Sequence, residues 1–131
     1  MDILERVFLA AYAAEDKKAS DPVLLDVSEL TSYTDCVLIV SGTSDRRVRS
    51  IAEAVRDAVK EAGAPVLGVE GLRDGRWVLV DCGAFVVHVF YEELRPVFDL
   101  EGLWSDARRV AIPPRPKEGA AQAAAGGKGD A

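Results

Sequence analysis

Histidine and methionine each occur once in the 131 residues, and cysteine twice. A lone His88 with Cys36 and Cys82, in neither CxxC nor HxxxH spacing, leaves too few ligands for a structural zinc site. Each cysteine sits inside an apolar stretch, where a buried free thiol is expected in place of a disulfide scaffold. No apolar run approaches the roughly 20 residues needed to span a bilayer. The opening MDILERVFLAAYAAEDKK carries acids and has no basic segment ahead of an unbroken apolar core, so a signal peptide is not expected. A cytosolic protein with no membrane partner follows. Neither a Walker loop nor GxGxxG is present.

What is present suits one globular domain. The apolar fraction is 49% and the charged fraction 29%, ordinary for a chain long enough to bury a real core. The net charge is -6 and the pI about 4.8. Acidity disfavours nonspecific nucleic-acid binding by the whole surface and suits a basic partner. Residues 1–112 form the expected domain. From Pro113 the chain reads PPRPKEGAAQAAAGGKGDA, without a large apolar residue to offset its ordering entropy, so 113–131 is expected to be a disordered tail.

Ile3, Leu4, Val7, Phe8, Ala11 and Ala14 recur at helical spacing, predicting a helix from about Asp2 to Lys18 that Ser20-Asp21-Pro22 breaks. A short strand is expected over 23–27. Cys36 to Val40 is apolar throughout, as in a central strand covered on both faces. Val48, Ile51, Ala52, Val55, Val59 and Ala62 mark the clearest helix, with Thr43 or Ser44 as its cap and Gly63 at its end. A strand over 66–69 would complete a strand-helix-strand unit. Trp77 to Asp81 and Ala84 to Tyr91 read as a hairpin. Glu92 to Arg95 begins a helical turn limited by Pro96, and Asp99 can cap a last short helix carrying Leu100, Leu103 and Trp104. The fold class is α/β (α+β): a mixed five-stranded sheet with flanking helices.

Residues that could carry chemistry have simpler roles. Ser41-Gly42-Thr43-Ser44-Asp45 joins a strand to a helix, where phosphate can bind, but no Lys follows and Asp45 would repel an anion. Helix capping is expected there. Asp35, Glu70 and Asp81 lie at strand ends without a DxD or ExD pair, as metal-dependent phosphoryl transfer would need. His88 has no nucleophile nearby in sequence. No cofactor, metal or catalytic residue is expected.

The hairpin is more informative. With Cys82-Gly83 as a two-residue loop, Asp81 opposes Ala84, Leu79 opposes Val86, and Trp77 opposes His88. One face then carries Trp77, Leu79, Asp81, Val86 and His88, a mixture suited to a partner. The other carries Val78, Val80, Phe85, Val87 and Val89 and belongs against the helices. Because Cys is a poor residue at positive φ, a longer loop with Gly83 left-handed is the alternative.

Six blocks resemble the ribosomal silencing factor S (RsfS, or Iojap) family in order and spacing. They are Tyr33-Thr34-Asp35-Cys36, Ser41-Gly42-Thr43-Ser44, Gly68-Val69-Glu70-Gly71, Gly75-Arg76-Trp77-Val78-Leu79-Val80-Asp81, Val87-His88-Val89-Phe90 and Asp99-Leu100-Glu101-Gly102-Leu103-Trp104. The resemblance covers roughly residues 2 to 105. It implies a nucleotidyltransferase-like sheet without the catalytic acids, and a non-enzymatic role. That role is binding to ribosomal protein L-fourteen on the large ribosomal subunit, which blocks subunit joining and represses translation when nutrients are scarce. A part in large-subunit biogenesis and a homodimer are also implied, but no sequence-specific nucleic-acid binding. Carried over by motif, Trp77, Asp81 and His88 are the first candidates for partner contact, with Arg76, Tyr91 and Glu92 after them. Ala84 stands where many family members have an acid. The alternatives are a metal-dependent nucleotidyltransferase-like enzyme and a dimeric adaptor without a ribosomal role.

Overall fold

A computed structural model describes residues 2–116. Asp2 caps the first helix, α1 (Ile3–Asp16), through a reciprocal box with Glu5, and Val7, Ala10, Ala11 and Ala14 form its buried stripe. Strand β1 (Ser20–Asp26) follows after only three residues. Ser20, Asp21 and Pro22 thus belong to the strand and do not form the expected break. A register shift between Ser20 and Val23, with Asp21 at φ 52°, absorbs the proline. Strand β2 (Cys36–Gly42) is buried at every position, as its apolar run requires.

Helix α2 (Asp45–Glu61) starts at Ser44, whose side chain accepts from the Arg47 N–H, and ends before Gly63 at φ 80°. Three strands follow: β3 (Gly68–Glu70), β4 (Trp77–Asp81) and β5 (Phe85–Tyr91). Two single-turn helices, α3 (Arg95–Phe98) and α4 (Leu100–Leu103), share Asp99 as C-cap of the first and N-cap of the second. Pro96 lies within the first turn of α3, where its missing N–H costs nothing, so it helps to start this turn and does not end it.

The sheet has six strands in the order β3-β4-β5-β2-β1-β6, one more than expected. The sixth, β6 (Arg108–Arg109), pairs with Asp26 and Leu25, and an Arg108–Asp26 ion pair of 3.0 Å fastens it. Two charged residues have no periodicity to reveal a strand. β2 and β5 run parallel in the middle of the sheet; the other pairings are antiparallel. Both long helices cover one face, over Leu38, Val40, Val78, Val80, Phe85, Val87 and Val89. Residues 117–131, which hold most of the expected tail, lie outside the described part. Pro113 and Arg115 run along α1, with the Tyr12 hydroxyl donating to the Pro113 carbonyl (2.8 Å) and Arg115 paired with Asp16.

The hairpin register differs from the expected one by two residues. Asp81 pairs with Val86, Leu79 with His88, and Trp77 with Phe90. The loop is Gly83-Ala84, closed by the Cys82 N–H donating to the Phe85 carbonyl (3.0 Å), with Gly83 at φ 77°. Glycine, not cysteine, takes the left-handed position. Because side chains alternate with period two, a two-residue shift changes every cross-strand partner and keeps every side chain on its expected face.

Candidate docking site

Trp77, Leu79 and Asp81 project from β4 away from the long helices, and Val86, His88 and Phe90 stand opposite them on β5. On the outer strand, Glu70 pairs with Leu79 and therefore joins this face beside Asp81. The C-terminal turns roof part of the face. Leu94, Leu100, Trp104 and Ala107 pack over Leu25, Val27, Val37, Ile39, Val86 and Phe90. Toward β4 the roof stops at Phe98, whose ring lies 4.6 Å from that of Trp77 and is 48% exposed. Beyond it, Trp77 and Leu79 are half-buried. The result is an apolar patch of Trp77, Leu79 and Phe98 with two carboxylates on its outer side.

The tryptophan is held from beneath. Its indole N–H donates to His88 Nδ1 at 3.0 Å, and its ring stacks 5.0 Å from Phe90. Accepting through Nδ1 requires a neutral imidazole with its proton on Nε2. Burial enforces that state: His88 is 8% exposed, and desolvation lowers its pKa to about 4. The imidazole thus supports the tryptophan and presents little surface itself. Asp81 also braces the turn, its Oδ1 accepting from the Gly83 N–H (2.9 Å).

The loop before β4 sets where Trp77 begins. Gly71, at φ 84°, packs against the Trp77 carbonyl, and Gly75, at φ 67°, packs against the Asp45 carbonyl and the Arg49 side chain. Backbone replaces any Cβ at both points, so the loop closes over the first turn of α2. At the other end, Thr34 donates through its hydroxyl to the Gly83 carbonyl (3.0 Å). This gives the Tyr33-Thr34-Asp35-Cys36 block a structural role in clamping the hairpin turn.

The structure brings Trp77, Asp81 and His88 together on one face but does not place the other three candidates there. Arg76 and Tyr91 line a separate cleft with Thr43, Ser44, Asp45 and Glu93. Tyr91 packs toward the helix-side core. Glu92 borders a third region with Ser41, Arg95, Asp99 and Glu101. At the start of α2, Ser44 and Asp45 accept from the N–H groups of Arg47 (3.0 Å) and Arg46 (2.7 Å), which is capping. Asp35 does not converge with Glu70 and Asp81, and among the described residues no group of three or more His, Cys, Asp or Glu is placed to hold a metal.

A family profile described as "Ribosomal silencing factor during starvation" matches residues 1–130. The chain belongs to this family, that of ribosomal silencing factor S. Ribosomal silencing factor RsfS of Chromobacterium violaceum is 43% identical over 104 residues, covering 79% of this chain and 85% of that protein. The Bacillus subtilis RsfS is 43% identical over 99 residues, covering 76% and 84%. A crystal structure of a C. violaceum protein superposes with a TM-score of 0.79 at 40% identity, covering 93% of this chain and 98% of that one. The mixed α/β fold is therefore that of solved relatives.

Three contributors to this face are not among the residues carried over by motif. Leu79 is placed on this face by the hairpin alternation, but not by motif. Glu70 reads as a strand-end acid until its pairing with Leu79 is known. Phe98 arrives from α3, and no local pattern in the sequence ties it to Trp77.

Proposed function

We propose that the chain is a cytoplasmic ribosomal silencing factor. Its Trp77 face docks on ribosomal protein L-fourteen of the large subunit, and the bound domain blocks joining of the small subunit. Family membership supports the silencing role. The observation that carries the choice of face is the apolar cluster of half-buried Trp77 and Leu79 with exposed Phe98, left open where the C-terminal roof stops and flanked by Glu70 and Asp81. Aromatic anchors in apolar surroundings dominate protein interfaces, and acids at the rim steer a basic partner. Silencing of this kind needs occupancy and bulk, not chemistry.

Co-sedimentation with isolated large and small ribosomal subunits, followed by a subunit-joining assay, tests this function. The expected result is binding to the large subunit alone and loss of joined ribosomes. Trp77→Ala should weaken binding by about thirtyfold, equivalent to about 2 kcal/mol, while circular dichroism stays unchanged. Undiminished binding by the folded variant would reject this face. Failure of the wild-type chain to bind either subunit would reject the function.

A further inference from the structure

Charge is unevenly distributed over this acidic chain. The segments 17–18, 45–49 and 71–76 contain seven of its sixteen Lys and Arg residues but only two of its twenty-two Asp and Glu. The fold brings the three segments together. From the first turn of α2, the Arg47 guanidinium reaches the Lys17 carbonyl at the end of α1, and the Arg49 guanidinium reaches the Arg73 carbonyl, each at 3.4 Å. Gly75 packs against the Asp45 carbonyl, and Arg76 lines a cleft with Thr43, Ser44, Asp45, Tyr91 and Glu93. Of the two acids, Asp45 lies 3.7 Å from Arg49. Lys17, Lys18, Arg46 and Arg73 are exposed.

We propose that this basic band is a contact surface for the phosphate backbone of duplex RNA. Five of its seven cations are arginines, whose planar forks match phosphate oxygens better than the point charge of lysine. None of the three segments contains an aromatic residue, and Tyr91, which borders Arg76, packs toward the helix-side core, so the band lacks a row of platforms for stacking unpaired bases. Backbone contact to a helical RNA, without base reading, is what this set of groups supports. Acidity elsewhere is no obstacle, because screening over about 8 Å at physiological salt confines each patch to its own neighbourhood. Arg76 directly precedes Trp77 but lines the helix-side cleft, so the band is separate from the docking face.

The test is fluorescence anisotropy of the full chain with a labelled 16-base-pair RNA duplex from about 50 to 200 mM salt. It compares wild type with Arg46→Ala/Arg73→Ala, both exposed positions, and with Arg46→Glu. The wild type should bind with a steep salt dependence. The double alanine variant should lower the slope of log affinity against log salt by about two, and each variant should weaken binding several-fold or more at 100 mM. The assay contains no ribosomal protein, so its outcome is separate from that of the docking experiment. Absence of RNA binding at the lowest salt would overturn the proposal. So would unchanged affinity in the folded variants, or binding to phosphatidylserine vesicles without binding to RNA.

Discussion

The indole N–H of Trp77 is already engaged by His88 Nδ1, so the ring offers a partner apolar surface and no free donor. His88 therefore positions Trp77 while presenting little surface itself. His88→Phe would retain ring volume but remove the acceptor, leaving a partly buried N–H unsatisfied; a loss of about 1–2 kcal/mol should appear as a lower urea midpoint. The same histidine sets a pH window. Its folded-state pKa of about 4 lies below the ordinary histidine value of about 6.5, so the unfolded chain takes up the proton first. Its contribution is constant above about pH 7, and stability is lost as pH falls from 6.5 toward 4. The loss is at most about 3 kcal/mol. Urea midpoints of wild type and His88→Phe across that range should converge and then cross on acidification; parallel curves would show that His88 does not titrate as described.

At the level of elements, one buried polar side chain ties the apolar roof to the sheet. Arg95, 8% exposed, donates to Ser41 Oγ at 2.9 Å and to Glu101 Oε2 at 3.0 and 3.2 Å, tying α3 and α4 to the end of β2. Arg95→Met leaves Ser41 and Glu101 without this donor and should cost about 2 kcal/mol by denaturant unfolding. Hydrogen exchange should rise first in residues 95–104 if the tie is local. Of these turns, α4 was legible from Asp99 as its cap with Leu100 and Leu103 behind it, whereas α3 was not, because Pro96 reads as a stop and acts as a start. The long helices were legible because their apolar stripes repeat over several turns, and β2 because it is apolar throughout. α3 and α4 have one turn each and depend on tertiary contacts. The hairpin faces were legible from alternation, whereas its register depended on which of two residues took the positive φ. Trp77, Asp81 and His88 share a face because strand parity places them there; Tyr91 has the opposite parity and packs on the other side.

For the molecule as a whole, the two cysteines report on integrity. Burial is the main cause that raises both Cys36 and Cys82 to about 11, so thiolate is scarce in the folded protein at neutral pH. Iodoacetamide labelling at pH 8 should be slow in native buffer and rise in step with global unfolding by urea. Rapid labelling of the native chain would mean that the sheet opens locally. The asymmetry that matters most is in the layers: two long helices cover one side of the sheet, and two single turns cover only part of the other. Along β4, neighbouring residues consequently answer to different demands. Val78 and Val80 are constrained by the chain's own interior, while Trp77 and Leu79 adjoin whatever lies against the open side. Under the proposed docking, substitutions at the first pair would be corrected within this protein, and those at the second by changes in another. One five-residue strand would thus carry two interleaved histories, one of folding and one of partnership.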